Sequence, residues 1–217
     1  MANVKNNVAS QETRRKLIEV AGRIFAEHGL SGATAKQITD RAKVNVAAVN
    51  YHFKDKTDLY VEVLRHACIA AAERLLSQPL TGTPETRLRL FILRMVRDTL
   101  QQPRWQMKLF SRELVEPTAA LDWVADLVAR PLTTQLVEIV MDLAGPGISK
   151  AEAIFIACGI ISQCLFFTRD RSLMQRLYPG LDVLHDPEKL ARRIADYALG
   201  TIRSQRPTNR RVAAARR

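Results

Sequence analysis

The most informative pattern of apolar and polar positions lies between residues 34 and 56, in the run TAKQITDRAKVNVAAVNYHFKDK. Its apolar positions recur every three or four residues, at Ile38, Ala42, Val46 and Val49. This spacing is typical of helices that are buried on one side. Because Lys43 and Asn45 interrupt the apolar stripe in its middle, the pattern predicts two short helices joined by a tight turn.

Cap residues predict the bounds of these two helices. Thr34 is a good N-cap, and the Gln37 side chain can accept a hydrogen bond from the amide of Thr34, as in a capping box. We therefore predict a first helix over 35–42. Asn45 is a second N-cap residue, which predicts a turn over 43–45 and a second helix over 46–53.

The second of these helices has an exposed face with little charge. Ala47, Ala48, Asn50 and Tyr51 are small or hydrogen-bonding, which suits a helix that lies in the major groove against base edges and thymine methyl groups. Side chains suited to phosphate contacts cluster at its end, and they are Tyr51, His52, Lys54 and Lys56.

A longer helix precedes this motif, over residues 11–28. Its apolar stripe consists of Leu17, Ile18, Ala21, Ile24 and Phe25. Gly29 is placed to end it as a left-handed C-terminal cap. We expect the stripe to pack on the two short helices in a small core, with Phe25 and Phe53 as its largest members.

The remainder of the chain also predicts helices. They cover 56–77, 84–101, 103–115, 118–144, 149–168 and 187–203. Pro131 should kink or divide the fourth of them. We expect the connection over 169–186 to pack against the protein, residues 1–10 to form a disordered arm, and residues 204–217 to form a disordered basic tail.

Two of the later helices predict a dimer. The helix over 149–168 is apolar on nearly every face. One subunit is not expected to cover so much apolar surface, so a partner is needed for the rest. A second apolar stripe lies on the last helix. The predicted interface residues are Phe155, Ile156, Leu190, Ile194 and Tyr197. These two helices from each of two subunits would form a four-helix interface.

Charge is distributed unevenly along the chain, whose net charge is +11. Residues 1–60 hold ten Lys or Arg against six Asp or Glu, and residues 61–202 hold seventeen against sixteen. Residues 203–217 hold six Arg and no acid. A polyanionic partner is therefore expected at the two ends of the chain.

Other function classes find little support. The four histidines lie in different segments, and no HExxH, GxSxG or phosphate-loop motif occurs, so we expect no enzyme activity, catalytic residue, metal or cofactor. Three cysteines without paired spacing predict reduced, buried thiols; a redox-sensing role for Cys158 or Cys164 is the alternative. No apolar run is as long as the about 18 residues that a membrane-spanning helix needs, and the first residues lack the apolar region of a signal peptide. We therefore expect a cytoplasmic protein without a membrane partner.

The run ITDRAKVNVAAVNYHFKDKTDLY, with AGRIFAEHG upstream, resembles the DNA-binding domain of TetR/AcrR family transcription regulators over residues 12–64. The resemblance implies an all-α fold of about nine helices: an N-terminal three-helix helix-turn-helix domain over 11–56 and a C-terminal ligand-binding and dimerisation domain over 57–203, with a linking helix to about 78. It also implies a homodimeric, sequence-specific regulator that binds a palindromic operator in double-stranded DNA. Repression relieved by a small-molecule effector is the mode that the family implies. A helical protein-interaction module without specific DNA binding is the alternative.

The resemblance carries DNA-binding roles to individual positions. They are Thr34, Ala35, Lys36, Asn45, Val46, Ala47, Ala48, Asn50, Tyr51, His52 and Lys56. Residues 34–36 are expected at phosphates, 45–48 at bases, and 50–52 along one backbone, where Lys56 completes the contact. Two positions depart from the family: many relatives have Gly at position 43 and Tyr at position 50. A left-handed lysine would cost about 1 kcal/mol, so the turn is expected to differ slightly here.

The effector pocket implied by the family is expected among large aromatic and polar side chains of the second domain. The candidates are Trp105, Phe110, Trp123 and Phe166, with His66, Arg94, Arg112 and Gln163 as polar partners. Such a set suits a medium-sized, partly apolar effector, whose identity the residues do not specify.

Overall fold

The computed structural model describes residues 2–205, with side chains from Asn7 onward, and this part of the chain is helical without a strand. Its α-helices are α1 (Ala2–Gly32), α2 (Ala35–Ala42), α3 (Ala47–His52), α4 (Lys56–Leu76), α5 (Pro84–Gln101), α6 (Arg104–Val115), α7 (Leu121–Val124), α8 (Arg130–Ala144), α9 (Lys150–Arg169), α10 (Arg171–Leu177) and α11 (Pro187–Ser204). A π-helical segment covers Ala125–Ala129, and a 3-10 turn covers Asp182–His185.

Most of the predicted helix bounds are confirmed within one or two residues. The match is complete for α2 and α5. The predicted kink or division at Pro131 is confirmed as an interruption of the α-helical hydrogen-bond pattern, because a π-helical segment ends two residues before this proline. The π-helical segment that precedes it accommodates the junction with α7.

The N-terminus differs from the predicted disordered arm, because α1 already begins at Ala2. No Gly or Pro occurs between Ala2 and Gly22 to stop a helix. The Thr13 hydroxyl donates to the Ala9 carbonyl at 2.9 Å, and Glu12 pairs with Arg15 one turn away. The predicted disordered tail covers residues 204–217, of which 206–217 lie outside the described residues, while Ser204 is the last residue of α11.

The connection over 169–186 packs less than predicted. Met174 and Leu184 are buried, but Leu177, Tyr178 and Leu181 are exposed. Residues 171–177 form α10, whose two turns bury only the Met174 side of the helix.

Two compact units divide the chain: a first unit of residues 2–73 and 102–129, and a second unit of residues 74–101 and 130–205. The predicted boundary at residue 57 does not describe this division. Most of α4, together with α6 and α7, belongs to the same unit as the helix-turn-helix, because the chain returns to that unit at residue 102.

The core of the first unit forms where α1, α2, α3 and α4 meet. Phe25 and Phe53 are buried there, as predicted, with Ile38, Ala42 and Val49. Tyr60 from α4 is a further large member, and its ring meets Phe25 edge to face with 5.0 Å between centroids.

Helix α6 packs along α1 in the same unit. A Cβ on Gly22 would lie 2.5 Å from Cζ3 of Trp105, so only glycine lets the indole ring sit on α1. Gly29 has φ +72°, confirming a break at this position, but its ψ of 179° is extended rather than left-handed helical. After this break, one more turn of helix α1 follows and ends at Gly32.

A buried carboxylate joins α6 to α4. Glu113 is fully buried and accepts hydrogen bonds from the Tyr60 hydroxyl at 2.8 Å and from the Thr118 amide and hydroxyl at 2.7 and 2.8 Å. Burial, with Glu113 close by, raises the pKa of Tyr60 well above its ordinary range. The phenol therefore stays protonated and remains a donor.

The second unit is built from α5, α8, α9 and α11, which pack on one another. Leu190, Ile194, Ala198 and Ile202 form one buried side of α11. Ion pairs at the exposed edge of α5 and α11 are Arg97 with Glu188, Arg89 with Asp196, and Arg203 with Glu85.

Helix α9 is, among the described helices, the one long and apolar enough to cross a membrane by length and composition. Core helices of proteins that enter no membrane pass the same test. Only 33% of its most apolar window is buried within this chain, so α9 presents uncovered apolar surface.

We predict that Phe25→Ala lowers the free energy of unfolding by about 3–5 kcal/mol, because it leaves a cavity in the small core of the first unit. Leu114→Ala is the matched control on exposed surface and should change stability by less than about 0.5 kcal/mol. Urea denaturation followed by circular dichroism measures both values, and equal losses would contradict the role assigned to Phe25.

Candidate nucleic-acid interface

Helix α2 begins with the predicted capping box. The Gln37 amide donates to Thr34 Oγ1 at 3.1 Å, and the Thr34 amide donates to Gln37 Oε1 at 2.9 Å. Each of these side chains satisfies a backbone donor that the first helical turn leaves unpaired. The prediction is confirmed, and it sets where residues 34–36 present their side chains.

The turn between α2 and α3 keeps a left-handed residue although that residue is a lysine. Lys43 has φ 55° and ψ 47°, and its amide donates to the Asp40 carbonyl at 3.2 Å. The Val44 amide donates to the Thr39 carbonyl at 3.1 Å, which closes the end of α2. The turn geometry is thus kept, and Lys43 carries the strain.

The start of α3 depends on Asn45. Its Oδ1 accepts a hydrogen bond from the Ala47 amide at 2.8 Å. Val46 already has helical dihedral angles, although α3 itself begins one residue later, at Ala47. Asn45 therefore caps the helix, and its amide NH2 is the part of the side chain left to face a ligand.

Helix α3 has one side in the core and one side open to solvent. Val49 is buried, and Phe53 directly after the helix is buried as well. On the open side, Val46 is 57% exposed and Tyr51 is 77% exposed. This open side carries little charge, so it can approach base edges without the cost of removing water from an ion.

The structure places all of the predicted DNA-binding residues at accessible positions. Thr34, Lys36, Asn45, Val46, Ala47, Asn50 and Tyr51 are exposed, and Ala35, Ala48, His52 and Lys56 are half-buried. Lys56 Nζ donates to the Ala33 carbonyl at 2.8 Å, which brings the start of α4 to the residue before Thr34. Lys56 therefore also holds the motif together.

Lys36 is less strongly engaged than Lys56. Its Nζ lies 2.8 Å from Asp40 Oδ2, one helical turn away, and both side chains are mostly exposed. Exposed pairs of this kind contribute little to stability, so a phosphate can replace Asp40 as the partner at small cost.

A residue that sequence reasoning alone did not single out lies at the end of α3. The guanidinium carbon of Arg14 is 5.2 Å from the centroid of the Phe53 ring. Burial, and secondly the Arg14 charge, lower the pKa of His52, so this imidazole is neutral at neutral pH. The His52 ring meets the Tyr51 ring edge to face, with 4.8 Å between their centroids. The signal in the sequence was the basic run Arg14-Arg15-Lys16, which periodicity alone does not assign to DNA.

The predicted effector residues fall into both units. His66, Trp105, Phe110, Arg112 and Trp123 belong to the first unit, and Arg94, Gln163 and Phe166 belong to the second. Arg94 Nη1 donates to the carbonyls of Leu75 and Gln78 at 2.9 and 2.7 Å, so it caps the end of α4. Trp105 is occupied with packing on Gly22.

Gln163 and Phe166 line a cavity of about 820 Å³ in the second unit. Leu190, Ile194 and Tyr197 line the same cavity. Two of the predicted effector residues and three of the predicted dimer-interface residues therefore line one cavity.

The predicted interface residues separate by exposure. Phe155 and Tyr197 are 76% and 66% exposed, whereas Ile156, Leu190 and Ile194 are buried in their own subunit. The latter three lie on the sides of α9 and α11 that pack in the second unit.

The three cysteines also differ in their exposure to solvent. Cys68 and Cys164 are buried, and burial raises the pKa of each thiol to about 12. Cys158 is exposed, contrary to the expectation of three buried thiols. Its neighbours on α9 one turn away in either direction are solvent-facing, which puts it on the uncovered side of that helix.

We predict that Tyr51→Ala weakens DNA binding at least about tenfold, since a hydrogen bond to a charged phosphate contributes about 1.5–3 kcal/mol. The melting temperature should stay unchanged because the ring is exposed. Fluorescence anisotropy with a bound duplex measures the affinity. Unchanged affinity would remove Tyr51 from the interface, whereas Phe53→Ala should unfold the motif and serves as the contrast.

We further predict that Lys43→Gly raises the free energy of unfolding by about 1 kcal/mol, because glycine adopts positive φ without the steric cost of a Cβ. Lys43→Ala removes the same charge and keeps the Cβ, so it should give no gain. Denaturation curves of the two variants decide between strain and charge as the cause.

Comparison with known proteins agrees with this geometry. Residues 17–63 match the model of the bacterial regulatory proteins of the tetR family, and residues 84–202 match the model of the C-terminal domain of the HTH-type transcriptional dual regulator CecR. The chain is 28% identical to CecR of Shigella flexneri over 184 residues, which cover 77% of this chain and 80% of that protein.

Further relatives extend the same similarity. AcrR of Shigella flexneri, an HTH-type transcriptional regulator, is 31% identical over 102 residues, or 46% of this chain and 47% of that protein. A bacterial regulatory protein of the tetR family from Rhodococcus RHA1 shares the fold, with a TM-score of 0.64 and 18% identity over 88% of this chain and 96% of that chain. The chain therefore belongs to the TetR family of bacterial regulatory proteins and is a DNA-binding transcriptional regulator with a C-terminal domain of the CecR type.

Proposed function

We propose that this regulator is a homodimer that binds a palindromic operator and is released from it by a small-molecule effector. The observation that carries the proposal is the open side of α3, with Val46, Asn50 and Tyr51 exposed, on a helix held by Val49 and Phe53. A rigid, nearly neutral face of this kind reads base edges, and the basic side chains around it, Lys36, Lys54 and Lys56, meet phosphates. Action in the cytoplasm, without enzyme activity, is part of the proposal.

Dimerisation is supported by the uncovered apolar surface of the second unit. Phe155 is 76% exposed, Phe166 46% and Tyr197 66%. Large apolar side chains exposed together mark a surface that a partner covers, and a second copy of the chain is the usual partner among soluble oligomers. Phe155 and Tyr197 take the central places in this interface, whereas Ile156, Leu190 and Ile194 support it from below.

Release by an effector requires that the effector bind the form without DNA more tightly than the operator-bound form. Two recognition helices must dock about 34–36 Å apart, one turn of the duplex, so a change of a few ångströms prevents simultaneous binding. The candidates for effector contacts remain the eight residues predicted from the sequence. Because Arg94 caps α4 and Trp105 packs on Gly22, contacts with these two residues would disturb the packing of both.

The experiment for this function is selection of genomic duplex fragments by the purified protein, followed by sequencing. A repeated palindrome with half-sites one helical turn apart is expected. No retention of any fragment even at low salt would favour the alternative, a helical interaction module. Because the matched C-terminal domain is named for a dual regulator, reporter genes placed behind the selected sites should be read for both repression and activation.

We predict that a maleimide labels Cys158 and not Cys68 or Cys164 in the folded protein, because the thiolate is the reacting form and the two buried thiols remain protonated. Labelling of Cys158 should slow as the protein concentration rises, since a dimer formed through α9 covers it. Mass spectrometry of peptides gives the rates. A rate that stays constant across the concentrations at which sedimentation shows monomers converting to dimers would place the interface elsewhere.

A further inference from the structure

Arg14 lies at the DNA-facing end of the recognition helix although it belongs to α1. Its guanidinium carbon is 5.2 Å from the centroid of the Phe53 ring, and Phe53 is the residue that ends α3. His52, the last residue of α3, is close enough to sense the Arg14 charge. The cation therefore lies beside Phe53 and near His52, at the end of α3, and His52 is one of the side chains assigned to the DNA backbone.

Glu62 of α4 holds this cation in place. Its Oε2 accepts a hydrogen bond from Arg14 Nη2, and its Oε1 accepts one from Arg65 Nε at 3.0 Å. Arg65 in turn lies over the Trp123 ring, with 5.8 Å from the guanidinium carbon to the ring centroid. The Glu62 side chain is only 22% exposed and is bound on both sides, so it cannot swing away with Arg14.

The Arg14 side chain still reaches solvent, because 41% of its surface is exposed. A guanidinium has five N–H donors, and the hydrogen bond to Glu62 uses one of them. The ion pair also joins α1 to α4, but the remaining N–H donors and the exposed part of the Arg14 side chain can still reach a ligand. Holding a rotamer-rich side chain in advance lowers the entropy lost when it binds a ligand.

We propose that Arg14 is a further phosphate-contacting residue of this regulator, positioned by Glu62 and the Phe53 ring beside the end of α3. The assignment rests on the proposed use of α3 as the recognition helix. Arg14 contacts the backbone and not a base, because it lies on α1 near His52, which is assigned to the phosphates. Its contribution is therefore the same for operator and unrelated DNA, and it depends on salt.

The test compares Arg14→Gln with Arg15→Gln. Both variants remove one arginine charge from the same helix, but Arg15 is 64% exposed and pairs with Glu12 on its own helix at 2.7 Å. Affinities of the full-length proteins for a selected genomic fragment and for an unrelated duplex are measured between about 50 and 200 mM salt.

Arg14→Gln should weaken binding to both duplexes roughly tenfold at low salt, as expected for one hydrogen bond to a charged group. It should also reduce the slope of log affinity against log salt by about 0.9 for each phosphate that the variant no longer neutralises. Arg15→Gln should leave this slope unchanged. Arg14→Lys keeps the charge without the planar fork, so it should recover the slope and only part of the affinity.

Circular dichroism melting checks that each variant is folded, and Arg14→Met, which keeps an apolar stem over Phe53, replaces Arg14→Gln if the latter is unfolded. A folded Arg14 variant with the wild-type slope, or an equal loss in Arg15→Gln, would overturn this assignment alone. Wild-type protein that retains no duplex at any salt concentration would overturn operator binding and this assignment together.

Discussion

The proposed DNA-reading surface depends on the burial of two side chains. Helix α3 has six residues, far fewer than the about 12–15 that an isolated helix needs to persist in water. Val49 and Phe53 hold it against the core that α1 provides, and Asn45 caps its start. The exposed residues on its open side therefore have fixed positions only because the opposite side is buried.

The polar groups around α3 are arranged before any ligand arrives. Lys56 is held by the Ala33 carbonyl, Asn45 by the Ala47 amide, and Arg14 by Glu62. A side chain that is already ordered loses less entropy when it binds. Basic groups surround the neutral side of α3, so in the proposed complex attraction to the duplex would come from the periphery of this surface and base recognition from its centre.

Helices α6 and α7 are as much a part of the first unit as the helix-turn-helix itself. The Glu113 carboxylate is fully buried, and a buried carboxylate is tolerable only when hydrogen bonds satisfy it. Its three donors come from Tyr60 and Thr118, which ties α4 to the segment after α6. Trp105 on Gly22 ties α6 to α1 in the same way. A displacement of α6 would thus act directly on the two helices that support α3.

The sequence alone determined most of the helices and most of their ends. Capping boxes, helix-stopping glycines, prolines and apolar periodicity act within about one turn, and they placed α2, α5, the break at Gly29 and the interruption near Pro131 correctly. The same local signals, with the family resemblance, led to the predicted DNA-binding positions around α3, none of which is buried.

Only the tertiary structure decided which distant residues meet. Arg14 and Glu62 are 48 residues apart in the chain, and Tyr60 and Glu113 are 53 apart. No local pattern records such pairs, because they result from how whole helices pack. For the same reason periodicity identified the apolar stripes of α9 and α11 but did not separate the buried Ile194 from the exposed Tyr197 three residues later: a stripe states that one side is apolar, and the neighbouring helices determine how much of that side they cover.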